Sequence, residues 1–91
     1  MNSTNRDKLV ALYEKLESSF SENLSNDDLR KLVDLYMIAI SNYDRDIMDS
    51  ISFYVHEYGN RDTKEYILNK IKHDHNNYLE REIGYLIDLI K

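Results

Sequence analysis

The chain has 91 residues, of which 42% are hydrophobic and 32% charged, and its formal net charge is −5. This is the content of one globular domain, neither two domains nor a disordered segment. The lack of cysteine excludes disulfides and cysteine zinc sites, and no apolar run approaches the ~18–20 residues of a membrane-crossing helix.

Proline is absent and glycine occurs twice, at Gly59 and Gly84. Such a chain lacks the punctuation of tightly turned sheets and suits long helices. Its periodicity predicts an all-α fold: a single small bundle over residues 1–91 with helices at about 5–22, 26–41, 45–58, 63–75 and 78–90. The first residues, M-N-S-T-N-R-D-K, carry no signal-peptide core, and together with the missing cysteines they lead us to expect a cytoplasmic protein.

Thr4 is placed to cap the first helix, with Asp7 at the positive end of its dipole. Leu9, Leu12, Tyr13, Leu16 and Phe20 recur at helical spacing, and Ser18, Ser19 and Ser21 weaken the end. Ser25, followed three residues later by Asp28, is a capping-box pattern for the second helix. Leu29, Leu32, Val33 and Tyr36 form its stripe. From Leu35 to Ile40 it is apolar nearly all round, which marks a central helix covered on several sides. Asn42, Tyr43 and Asp44 make a short link, and short links join antiparallel neighbours.

Asp44 or Asp46 caps the third helix, whose stripe is Ile47, Met48, Ile51, Tyr54, Val55 and Tyr58. Gly59 stands where a left-handed C-terminal cap favours glycine. Asp62 with Glu65 is a second capping-box pattern, opening a fourth helix led by Tyr66, Ile67 and Ile71. The later apolar set, Leu79, Ile83, Leu86, Ile87 and Ile90, is out of phase with it by about one residue. Either one long helix kinks near His75–Asn77, or it stops and Asn77, with Glu80 three residues on, caps a fifth; we favour the break. The expected core is Leu12, Leu16, Leu32, Val33, Tyr36, Ile47, Ile51, Val55, Ile67, Ile71, Ile83 and Leu86.

Sites for chemistry are weakly marked. His73-Asp74-His75 has the residue types of a metal site, but on a helix residues two apart point about 200° away from each other. His56-Glu57 lacks the second histidine, four residues after the first, of a helical zinc protease. We read the histidines as solvent-facing or helix-end residues and expect no metal and no cofactor. No serine sits in a glycine-flanked turn, and there is no glycine-rich phosphate loop. Carboxylates are plentiful, but so small a bundle has little interior in which to shift their pKa values. We therefore expect no enzymatic activity.

The eight tyrosines are the unusual feature. Tyrosine is amphipathic and enriched at interface hot spots. Tyr36, Tyr54 and Tyr58 are expected at the core edge with their hydroxyls in water. Tyr43, Tyr78 and Tyr85 fall off the stripes and are the interface candidates. Glu14, Glu17, Glu22, Asp27, Asp28 and Asp34, the acids of the first two helices, are candidates to steer the chain onto a basic partner. The C-terminal run I-G-Y-L-I-D-L-I, apolar on almost every face, is either a core helix or a strip for a second copy.

The function expected from this pattern is a small acidic protein-binding module that inhibits or regulates a partner protein by occupying its surface, without chemistry. Small acidic cysteine-free bundles are common among immunity proteins, antitoxins and phage antagonists, a likeness at the level of fold alone. A basic nucleic-acid-handling protein is a natural partner. Two alternatives stand beside this reading. The short link permits a helix-turn-helix DNA-binding regulator. Its second helix, however, opens with Asp44, Asp46 and Asp49, leaving only Arg45 for phosphates, so direct nucleic-acid binding is not expected. The other alternative is a homodimeric structural subunit closed through the C-terminal helix. A composition leaning on Ile, Asn, Lys, Tyr and Asp and thin in Ala, Gly and Pro matches an AT-rich genome, bacterial or phage.

Overall fold

The computed structural model describes residues 5–20, 24–73 and 77–90. These residues form five α-helices and no strand: α1 (Asn5–Ser18), α2 (Asn26–Ser41), α3 (Arg45–Tyr58), α4 (Arg61–His73) and α5 (Asn77–Leu89). The all-α expectation holds. The last helical stretch is two helices, as the phase shift between its stripes implies. The expected cap Thr4 and the junction at 74–76 lie outside the described residues.

α2 forms as its sequence dictates. The Asp28 N–H donates to Ser25 Oγ at 3.1 Å, and the Ser25 N–H donates back to the Asp28 carboxylate at 3.3 Å, so the capping box is reciprocal. Leu29, Leu32, Val33, Leu35, Tyr36, Ala39 and Ile40 are all buried, and α2 packs against each of the other four helices. Around it one hydrophobic cluster gathers Leu9 and Tyr13 of α1, Ile47, Met48, Ile51 and Val55 of α3, Ile67 of α4, and Ile83 and Leu86 of α5. The Cα envelope measures 41 × 35 × 18 Å. Two packed helices, with Cα cylinders about 2.3 Å in radius and axes about 8–10 Å apart, span about 13–15 Å between Cα atoms, so the bundle is about two helices deep and its outer helices keep solvent faces.

Several local features depart from expectation. α1 ends at Ser18 rather than near residue 22. Ser18 Oγ donates to the Lys15 carbonyl at 2.8 Å and Ser19 Oγ to the Leu16 carbonyl at 2.6 Å. The Ser19 and Phe20 N–H groups turn back to Leu16 and Glu17 at 3.0 and 3.2 Å, so the last turn tightens and stops. Leu12, expected in the core, is 52% exposed. Leu9 and Tyr13 are the α1 residues buried in the cluster and Leu12 faces outward, while Leu16 and Ile71 are half-buried against the cluster.

α4 opens at Arg61, two residues earlier than expected, because Asn60 and not Asp62 is its cap. The Thr63 N–H donates to Asn60 Oδ1 at 3.2 Å, and the Asn60 N–H donates to Thr63 Oγ1 at 3.3 Å. Thr63 is fully buried, which shields this reciprocal pair from water. Asp62 instead receives the forked guanidinium of Arg30 and ties α4 to α2. A second fork, from Arg45 to Glu82 at 2.9 and 3.2 Å, ties α3 to α5. With Arg45 against Glu82 at one end and Gly59 against Ile90 at the other, these two helices run side by side in the same direction.

Gly59 is not left-handed, since its φ and ψ are −60° and 144°. Space requires the glycine: a Cβ there would collide with the Val55 carbonyl oxygen and lie 3.1 Å from Ile90 Cγ1. The left-handed residue is Tyr43, with φ 55°. The Asp44 N–H donates to the Ala39 carbonyl at 2.9 Å and the Tyr43 N–H to the Ile40 carbonyl at 3.1 Å. These two bonds complete a Schellman motif in which tyrosine occupies the usual glycine position. Asp44 Oδ1 then receives the Ile47 N–H at 3.3 Å, so Asp44, of the two candidates, caps α3.

Candidate functional site

On α3, the buried stripe Ile47, Met48, Ile51 and Val55 leaves Asp49, Phe53 and His56 exposed on another side of the helix, with the buried Ser52 at the boundary. On α5, Tyr85 and Leu89 lie one turn apart on the side that meets α3. These six residues line an open pocket of about 370 Å³. Phe53 is 61% exposed and Tyr85 53% exposed. Asp49 sits in the pocket and Glu57 is exposed one turn beyond Phe53, so the rings stand among carboxylates. Arg81, the basic residue of α5, acts with Arg45 on Glu82; the Arg45 fork is the stronger influence holding the Glu82 carboxyl below the usual range.

Phe53 stands at the end of an aromatic row. Its ring meets Tyr54 edge-on at 5.8 Å, Phe20 meets Tyr54 edge-on at 5.3 Å, and Tyr58 stacks on Tyr54 at 6.4 Å. The Tyr54 hydroxyl donates to Glu17 at 2.6 Å and the Tyr13 hydroxyl donates to the same oxygen at 3.2 Å. The bond to Glu17 pushes the Tyr54 pKa well up, and burial, followed by the Glu17 charge, raises that of Tyr13. This carboxylate thus joins α1 to α3 beside the ring that Phe53 meets.

The residues singled out in the sequence are dispersed. Tyr85 lies at the pocket. Tyr43 is 75% exposed at the α2–α3 turn, two residues before Arg45, which grips Glu82 one turn ahead of Tyr85. Glu17 serves the Tyr13 and Tyr54 hydroxyls and Asp28 the α2 cap. Asp34 accepts the Tyr66 hydroxyl at 2.7 Å and faces Lys70 at 3.1 Å, and Asp27 faces Lys31 at 3.5 Å. Glu14 is exposed on α1. Glu22 and the side chain of Tyr78 lie outside the described residues.

The tyrosines expected at the core edge also need correction. Tyr36 is fully buried and its hydroxyl reaches the Glu82 carbonyl at 3.4 Å; burial pushes its pKa up to about 12. The Tyr54 hydroxyl is bonded to Glu17 rather than to water alone, whereas Tyr58 is 41% exposed. Phe53 is the residue that the sequence reading missed. Its signal was present: a large aromatic off the apolar stripe, between Asp49 and Glu57.

Among the described residues no three His, Asp or Glu side chains converge as metal ligands, and no helix is long and apolar enough to cross a membrane. No family model, curated protein or solved structure matches the chain.

Proposed function

We propose that this chain is a non-catalytic protein-binding module that docks a basic surface of another protein on its α3–α5 face and regulates that protein by covering the surface. The observation that carries the reading is the pair Phe53 and Tyr85, at 61% and 53% exposure, flanking a pocket that contains Asp49. Both rings stand outside the hydrophobic cluster, so the fold does not need them for its core. Aromatic faces receive Arg and Lys heads through their quadrupoles, and Asp49 and Glu57 supply countercharge. The net charge of −5 steers a basic partner toward the chain. A cytoplasmic nucleic-acid-handling protein has such a surface.

The DNA-binding alternative is weakened by the same geometry. Arg45, the cation at the start of α3, is forked onto Glu82, and the exposed side of α3 carries Asp49 and Glu57. A helix with that face meets phosphates with carboxylates.

Affinity isolation from the source organism, with the wild-type chain and a Phe53→Ala/Tyr85→Ala variant, tests the proposal. The expected result is a partner retained by the wild type and lost by the variant while the melting temperature stays unchanged. Loss of more than ~1 kcal/mol of binding at either ring is typical of an anchor. A wild-type chain that retains no protein, or a variant that retains the same partner equally, would refute it.

A further inference from the structure

Tyr13 and Glu17 bond α1 toward Tyr54 of α3, and Phe20 leans on the same ring. The other flank of α1, bearing Leu12 and Lys15, therefore stands open over α2. Between them runs a groove of about 460 Å³. Leu12 and Leu16 form its wall on α1, and Leu35 and Ile38 its floor on α2. Leu12 is 52% exposed and Ile38 45% exposed, so apolar surface lies in water along both helices.

The rim carries Lys15, Lys31 and Asp34. Asp34 is answered within the fold by Lys70 at 3.1 Å and by the Tyr66 hydroxyl at 2.7 Å. Lys31 makes an exposed contact with Asp27 at 3.5 Å, of a kind that contributes little. Counted with Lys70 and Asp27, the rim is positive by one charge, that of Lys15, in a chain whose net charge is −5.

We propose that the α1–α2 groove is a second docking site, whose occupant is an amphipathic helix of another protein carrying acidic residues beside its apolar stripe. Shape and charge both select that occupant. Leu12 and Leu16 are spaced i, i+4 and Leu35 and Ile38 i, i+3, which is the spacing that receives the apolar ridge of a third helix. Lys15 and Lys31 stand where carboxylates flanking that ridge arrive. The site is independent of the α3–α5 face, which selects the opposite charge, so failure of either leaves the other standing.

Two synthetic helical peptides with the same leucine stripe, one flanked by glutamates and one by lysines, are the probes. Each is titrated into the full chain while methyl NMR follows Leu12, Leu16, Leu35 and Ile38. The glutamate peptide is expected to bind at least about tenfold more tightly and to shift those methyl groups. Leu12→Glu is expected to abolish its binding, and Lys15→Glu/Lys31→Glu to reverse the preference, with helical circular dichroism unchanged in both variants. Equal binding of the two peptides, shifts confined to residues outside the groove, or no shift at millimolar peptide would overturn the proposal.

Discussion

Replacing Tyr43 by glycine should make the protein more stable. Tyr43 holds φ at 55° with 75% of its surface in water. An L-residue in the left-handed region brings its Cβ too near the following carbonyl, which costs ~1–2 kcal/mol; glycine has no such penalty. Against this, glycine has more freedom to lose on folding, worth ~0.5–1 kcal/mol. The difference predicts a gain of ~0.5–1 kcal/mol for Tyr43→Gly. For a domain of this size ~1 kcal/mol moves the melting temperature by ~4–8 °C, so the expected rise is a few degrees. Tyr43→Ala removes the ring but keeps the Cβ, and it should melt at or below the wild type. Thermal unfolding followed by far-UV circular dichroism reads both variants. Equal melting temperatures for glycine and alanine, or glycine below the wild type, would show that ring contacts and not backbone strain govern this turn. If Tyr43 also belongs to the proposed docking surface, Tyr43→Gly should gain stability and lose affinity for the proposed partner.

The position of the core yields a paired prediction. Ile51→Ala, at a fully buried site, should cost ~2–5 kcal/mol, a large part of a total near ~5–10 kcal/mol, whereas Leu12→Ala should cost less than about 1 kcal/mol. Equal losses in urea denaturation would return Leu12 to the core. The two arginine forks predict an acid limb in stability. Arg45 holds the Glu82 carboxyl, and Arg30 the Asp62 carboxyl, below their ordinary values of 4.5 and 3.8. A depressed folded pKa contributes fully above the unfolded value and is lost as pH falls through the folded one. Stability should therefore decline below about pH 4.5, and Glu82→Gln should lower the plateau and flatten the decline. An acid limb identical in the variant would contradict the role of that fork.

What was legible in the sequence was local. The Ser25–Asp28 box, the Asp44 cap and the α2 stripe were readable because their partners lie within one helical turn. The same holds for the break before α5, since two stripes out of phase do not face one core on a straight helix. The end of α1 was only half legible: serines announced a weak end, but the bonds from Ser18 and Ser19 to the preceding carbonyls decided where it falls.

Tertiary contacts decided the rest. Leu9 and Leu12 share one amphipathic stripe, yet in the packed bundle, where Glu17 and Phe20 meet Tyr54, Leu9 is buried and Leu12 exposed. The sequence pattern pointed to Asp62 as the α4 cap, but Asn60 takes that place. Arg30, far away in the chain, engages the first, and the buried Thr63 completes a reciprocal pair with the second. Composition announced acids and tyrosines as interface material, but the fold uses Glu17, Asp28, Asp34 and Tyr36 within itself. It leaves Phe53 beside Tyr85, and Leu12 beside Ile38, in water. Local spacing determines helices because the energies that start and stop them act within a turn. Which apolar residues remain outside depends on how a bundle about two helices deep divides its surfaces between core and solvent, and that is settled only when all the helices pack.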